Sequence, residues 1–172
     1  MNKKYVKVII FVVVFLIIAS IFISIDKLNN RKEDQVKSDY YAGFVLSVQT
    51  LDRTLAKTKG TELNEDILQM FNVYTTIIFV NDRLTQLKEN TESFNEMDEL
   101  MNDFMIFRIR YDSLVREQII SDSVDPEVLL KVVDQIKLFV RDLPKEYESS
   151  KEFSKQLNAA DKHIKPLLDI SI

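Results

Sequence analysis

The chain has 172 residues, a length suited to one domain of ordinary size. It contains 2 Gly, 3 Pro, no Cys, no Trp and a single His, with a formal net charge of −4. These figures exclude disulfides, thiolate metal sites, a cysteine nucleophile and a lipid-anchored cysteine. They also argue against Gly-rich phosphate loops, hairpin-rich sandwiches and nucleic-acid binding by bulk positive charge.

Val8 to Ile25 form an uncharged apolar run, VIIFVVVFLIIASIFISI. As a helix it would reach roughly 27 Å, close to the about 30 Å of a bilayer core. It is longer than the apolar region of a secretory signal, and no Ala-x-Ala precedes Asp26. The run therefore reads as an uncleaved transmembrane signal anchor; the alternative is a removed signal peptide followed by a secreted soluble domain. Lys3, Lys4 and Lys7 lie before it with the short N-terminal tail, and Lys27, Arg31 and Lys32 follow it, offset by Asp26, Glu33 and Asp34. Retention of positive charge in the cytoplasm favours an N-terminus inside. The expected layout is a short cytoplasmic tail (1–7), the anchor (8–25), a polar juxtamembrane joint (26–37) and an extracytoplasmic helical bundle (38–172). The joint reads either as a flexible link or as a solvated helical stalk.

Five helical patterns follow the anchor. The first places Val36, Tyr40, Phe44, Val48, Leu51 and Leu55 on one face, and Lys57 to Gly60 stop it. Gly43 lies inside it, costing about 1 kcal/mol against Ala; it either allows a close helix contact or has no structural role. The second starts near Asn64 as N-cap and faces inward through Ile67, Phe71, Tyr74, Ile78, Leu84 and Leu87. Its stretch Val73 to Val80 is rich in strand formers, but the helical spacing runs longer than a strand. The third follows a capping box of Ser93 and Glu96 and uses Met97, Leu100, Met101, Phe104, Tyr111, Leu114 and Val115.

The fourth has Asp125 as N-cap and Pro126 at its first position. It presents Leu129, Val132, Val133, Ile136, Phe139 and Val140, and stops at Leu143-Pro144. A fifth, more polar helix is expected from Pro144 to about Lys165, with Tyr147, Leu157, Ala160 and Ile164 inside and Pro166 closing it. The residues after Pro166 are apolar enough to dock on the rest. The fold class is all-α: a single transmembrane helix followed by an elongated antiparallel bundle of four to five helices.

Few residues suggest chemistry. Arg108 falls near the centre of the third helix's apolar face, where a guanidinium needs a carboxylate or an anionic ligand. A rotation of the helix would instead put it at the edge, its stem over the core. Tyr40 and Tyr41, with Phe44, form either an aromatic contact platform or core. Met97, Met101 and Met105 read as core or as an adaptable groove. Glu92, Glu96, Asp98, Glu99 and Asp103 surround the start of a helix, where acids favour the macrodipole, so no metal site is expected. His163 reads as a surface imidazole. No nucleophile elbow, HExxH or Walker motif occurs, so neither catalytic residues nor a cofactor is expected.

The function expected from the sequence is that of a non-enzymatic, single-pass accessory or regulatory protein of a bacterial cell envelope. Its bundle would bind another membrane or envelope protein, with Arg108, Tyr40 and Tyr41 as candidate contacts. The alternatives are an anion-sensing bundle built on Arg108 and a self-associating structural tether.

Overall fold

The computed structural model describes the backbone of residues 3–57, 63–91, 95–121 and 124–170. It describes their side chains apart from 3–14, 17, 23, 29, 30, 63–66 and 95. Five α-helices occur, with no strand among the described residues. They are α1 (Lys3–Ala56), α2 (Leu63–Asn90), α3 (Asn95–Ser121), α4 (Pro126–Asp142) and α5 (Lys151–Asp161), followed by a 3-10 turn at Lys165–Leu167. The helices form an antiparallel-packed bundle. Residues Met1–Val36 and Lys37–Ile172 make two compact units.

In the first unit, residues 26–36 are helical, and 31–36 are exposed. Of the two readings of this polar stretch, the helix is the one found. Much of the apolar run before it lies outside the described side chains. Among those described, Phe15, Leu16, Ile18, Ile21, Phe22 and Ile25 are all exposed. Among the described residues, no helix is long and apolar enough to cross a membrane.

The second unit has one continuous apolar core. From α1 it takes Tyr41, Phe44, Val48, Leu51 and Leu55, at spacings of three and four residues. Val36 is exposed and Tyr40 half-buried, so the inward face begins at Tyr41. An added Cβ on Gly43 would meet nothing within 4 Å, so no close helix contact explains that glycine.

The inward face of α2 differs from expectation. Met70, Val73, Ile77, Val80, Leu84 and Leu87 are buried, whereas Phe71 and Ile78 are exposed and Ile67 and Tyr74 half-buried. Both sets have helical spacing, because Val73 to Val80 is apolar on nearly every side. Periodicity gives a period here and leaves the phase open. α2 begins at Leu63, so Asn64 lies within its first turn and not at the expected N-cap position. The capping serine, Ser93, lies outside the described residues.

α3 packs antiparallel to α2. Asn81 Nδ2 donates to the Phe104 carbonyl at 3.4 Å, Thr85 lies against Met101, and Lys88 pairs with Asp98. α3 buries Met97, Leu100, Phe104, Phe107, Tyr111 and Leu114. Phe104 meets Phe107 and Phe139 edge-on, at ring-centroid distances of 6.3 and 5.3 Å. Each such fully buried side chain contributes about 1.5–3 kcal/mol through removal of apolar surface from water.

α4 starts as its sequence indicates. Asp125 Oδ1 accepts the Glu127 N–H at 2.9 Å, and Pro126 occupies the first turn. The helix ends before Leu143, which is extended as its following proline requires. The fifth helix is shorter than expected. Residues 144–150 form a connection, and α5 begins only after Ser150, whose Oγ accepts the Phe153 N–H at 3.1 Å. The Ser-rich stretch offers a cap that ends the connection, a stronger local signal than the sparse apolar stripe. Phe153, absent from that stripe, is buried beside Leu157, Ala160 and Ile164. Pro166 sits in the 3-10 turn, beyond the helix end at Asp161. Leu167 and Ile170 dock into the core.

Candidate functional site

Arg108 is half-buried, and the central position of the α3 face belongs to Phe107. Arg108 therefore lies at the edge of the core, the second of the two readings of its sequence position. Among the described residues it makes no ion pair. The α2–α3 register set by Asn81 and Phe104 brings Ile78 level with it.

Tyr41 and Tyr40 separate. Tyr41 is fully buried, and its hydroxyl donates to the Pro144 carbonyl at 2.6 Å. Its ring packs edge-on against Phe153 at 5.2 Å and lies 6.3 Å from Tyr147. Burial pushes its phenol well above the ordinary tyrosine range. That tyrosine ties α1 to the α4–α5 connection. Tyr40 is half-buried against the same core.

Two features of the second unit stand apart from ordinary core and solvated surface. The first is apolar. α2 carries Leu68, Phe71, Ile78 and Phe79 outward, and α3 carries Met105 and Ile109 outward. These six side chains are between 36% and 59% exposed. On α2 the spacing repeats the helical period on the face away from the core, so this helix is apolar twice over. Arg83 borders the strip, its guanidinium 4.9 Å over the Phe79 ring. Half-exposed side chains of this size leave on the order of 500 Å² of apolar surface, at the upper end of what monomers carry. The methionines split along the same lines: Met97 is core, Met101 half-buried and Met105 exposed.

The second feature is a carboxylate cluster. Glu99 and Asp103 stand one turn apart on α3, and Asp161 is the last residue of α5. One oxygen from each of the three lies within 4.8 Å of the others. Lys165, at the start of the 3-10 turn, places its Nζ 2.6 Å from Glu99 Oε1 and 3.6 Å from Asp161 Oδ2. Asp103 and Asp161 are buried, and Asp103 Oδ2 and Asp161 Oδ1 have no hydrogen-bond partner among the described residues. Burial, with Asp103 and Glu99 adding negative charge, pushes the Asp161 carboxyl up to about 7 against the pull of Lys165. Burial also raises the Asp103 carboxyl.

Glu99 and Asp103 are the acids that the sequence places around the start of α3. Asp161 lies far away in the chain, and only the packing of α5 on α3 brings it there. The i, i+4 spacing of Glu99 and Asp103 was the one legible signal. His163 is half-buried, with Nε2 2.8 Å from Asp142 Oδ2, so it fastens the end of α4 to the segment after α5.

No family model matches the chain, and no curated protein or solved structure is significantly similar to it.

Proposed function

We propose that this is a membrane-anchored, non-enzymatic accessory or regulatory protein whose helical bundle binds another envelope protein through the outer face of α2 and α3. The observation that carries this reading is the apolar strip of Leu68, Phe71, Ile78, Phe79, Met105 and Ile109. Its partner is an amphipathic helix with an acidic flank. The apolar side of that helix matches anchors at helical spacing, and the acidic flank matches Arg83 and Arg108 along the strip. The strip is smaller than the about 800 Å² per partner of a standard stable interface, which suits a regulated rather than a permanent contact.

The anchor in this reading is the run Val8 to Ile25. It is supported by its length and lack of charge, and by the exposed apolar side chains between Phe15 and Ile25. N-terminal lysines support the bundle's placement outside the cytoplasm.

The test is site-directed photocrosslinking in the native host, with the full chain carrying a crosslinker at Phe79. A single stoichiometric partner, lost in Phe71→Glu and weakened in Arg108→Glu, is the expected result. Recovery of the protein alone, or of a partner unaffected by Phe71→Glu, would overturn the reading. A crosslink to a second copy of the chain would replace it with self-association.

A further inference from the structure

We propose that Glu99, Asp103 and Asp161 form a binding site for a calcium-type divalent cation, and that the Lys165 ammonium holds the place of that cation when it is absent. This goes beyond the partner-binding reading and does not depend on it.

The first argument is geometric. Three carboxylate oxygens, one from each residue, lie within 4.8 Å of one another. Three oxygens at that greatest mutual spacing lie about 2.8 Å from their common centre, a few tenths of an ångström beyond the roughly 2.3–2.6 Å of calcium–oxygen bonds. A small inward shift of the exposed Glu99 side chain brings all three onto one ion. The donors are all hard oxygens, with no thiolate or imidazole among them, which selects against zinc and copper. Glu99 and Lys165 face solvent, so water can complete the six to eight ligands that calcium takes.

The second argument is independent of the clustering. Asp161 is 2% exposed and Asp103 6% exposed, and Asp161 Oδ1 and Asp103 Oδ2 have no hydrogen-bond partner among the described residues. Buried polar atoms are rarely left without a partner, and charged ones least of all. Lys165 supplies one positive charge to three acids, and its Nζ is taken up chiefly by Glu99. A divalent cation bound by these carboxylates brings twice the charge of the ammonium.

Lys165 makes the site exchangeable. Its side chain is 43% exposed, and it hangs from the 3-10 turn on a flexible stem. Swinging it into solvent opens the cluster without moving a helix. The ion would then link α3 to the end of α5, stiffening the segment that carries Leu167 and Ile170 into the core.

The experiment is thermal unfolding of the full chain in detergent micelles at neutral pH, after chelator treatment, with Ca²⁺, Mg²⁺ or K⁺ added at matched ionic strength. Calcium is expected to raise the melting temperature, with a Kd of about 10⁻⁴–10⁻³ M, the range of extracellular calcium modules. Mg²⁺ is expected to act more weakly and K⁺ not at all. Asp161→Asn keeps the shape of the side chain, and Glu99→Gln changes only an exposed residue; both are expected to lose the calcium response. Lys165→Gln is expected to lower the calcium concentration needed for half the shift several-fold. No calcium-dependent rise in either the wild type or Lys165→Gln would overturn the proposal. A rise of the same size in Glu99→Gln and Asp161→Asn would also overturn it, since surface acids would then be binding the ion.

Discussion

The hydroxyl of Tyr41 donates to the carbonyl of Pro144 across 103 positions of sequence, at 2.6 Å and out of reach of solvent. One bond thus joins the start of the inward face of α1 to the turn that separates α4 from α5. Tyr41→Phe keeps the ring packing and removes the bond, leaving the buried Pro144 carbonyl unpaired. The expected cost is about 1–3 kcal/mol in urea unfolding. A change below about 0.3 kcal/mol would show that the hydroxyl is better solvated than its burial implies.

Tyr111 gives the opposite expectation. Its side chain is fully buried on α3, and its hydroxyl has no partner among the described residues. Burial holds its phenol well above the ordinary range. Tyr111→Phe removes a polar group that lost its water without gaining a bond, so stability is expected to rise by about 1 kcal/mol. A loss of that size would reveal a bond to the hydroxyl.

The pH dependence of stability follows from two carboxyls that act in opposite directions. Asp161 is raised to about 7 in the fold, from an ordinary value of 3.8. The folded protein therefore holds this proton more tightly than the unfolded chain. That contribution is complete below about pH 4 and is lost as the pH rises through about 7. Asp142 is held far below the carboxylate range, first by the hydrogen bond from Arg141 and then by that from His163. Its contribution is present at neutral pH and fades only in strong acid. With divalent cations chelated, stability is expected to rise as the pH falls from neutral to about 5, and Asp161→Asn is expected to flatten that rise. An equal slope in the wild type and Asp161→Asn would place the titrating group elsewhere.

Gly43 is helical, half-buried and open at its Cβ position. Nothing in its surroundings needs a glycine. Gly43→Ala is expected to stabilise the protein by about 0.5–1 kcal/mol by restricting the unfolded chain. Destabilisation in the full chain would mean that the open side of Gly43 is occupied in the native setting, as by a partner helix.

Most of the fold was legible where local signals agreed. Asp125 and Pro126 marked the start of α4, and Leu143-Pro144 its end, because caps and prolines act through the residues next to them. The phase of α2 was not legible. Phe71 and Met70 are both apolar neighbours on a helix, and only the position of α3 decides which turns inward. The two readings of Arg108 turned on a related point: with Phe107 counted on the face of α3, the apparent centre moves by one residue and Arg108 falls at the edge. The carboxylate cluster was the least legible feature, since Asp161 meets Glu99 and Asp103 only through the packing of α5 on α3.

The grouping of Tyr41, Tyr147 and Phe153, in which Phe153 meets both tyrosines edge-on, has a practical side. The chain has 6 Tyr and no Trp, so no indole band covers the tyrosine signal. Rings held asymmetrically give a near-ultraviolet circular dichroism band that vanishes when fixed packing is lost, even if the helices persist. The docking of α1 on the α4–α5 connection can therefore be followed optically in the unlabelled protein, separately from its helix content.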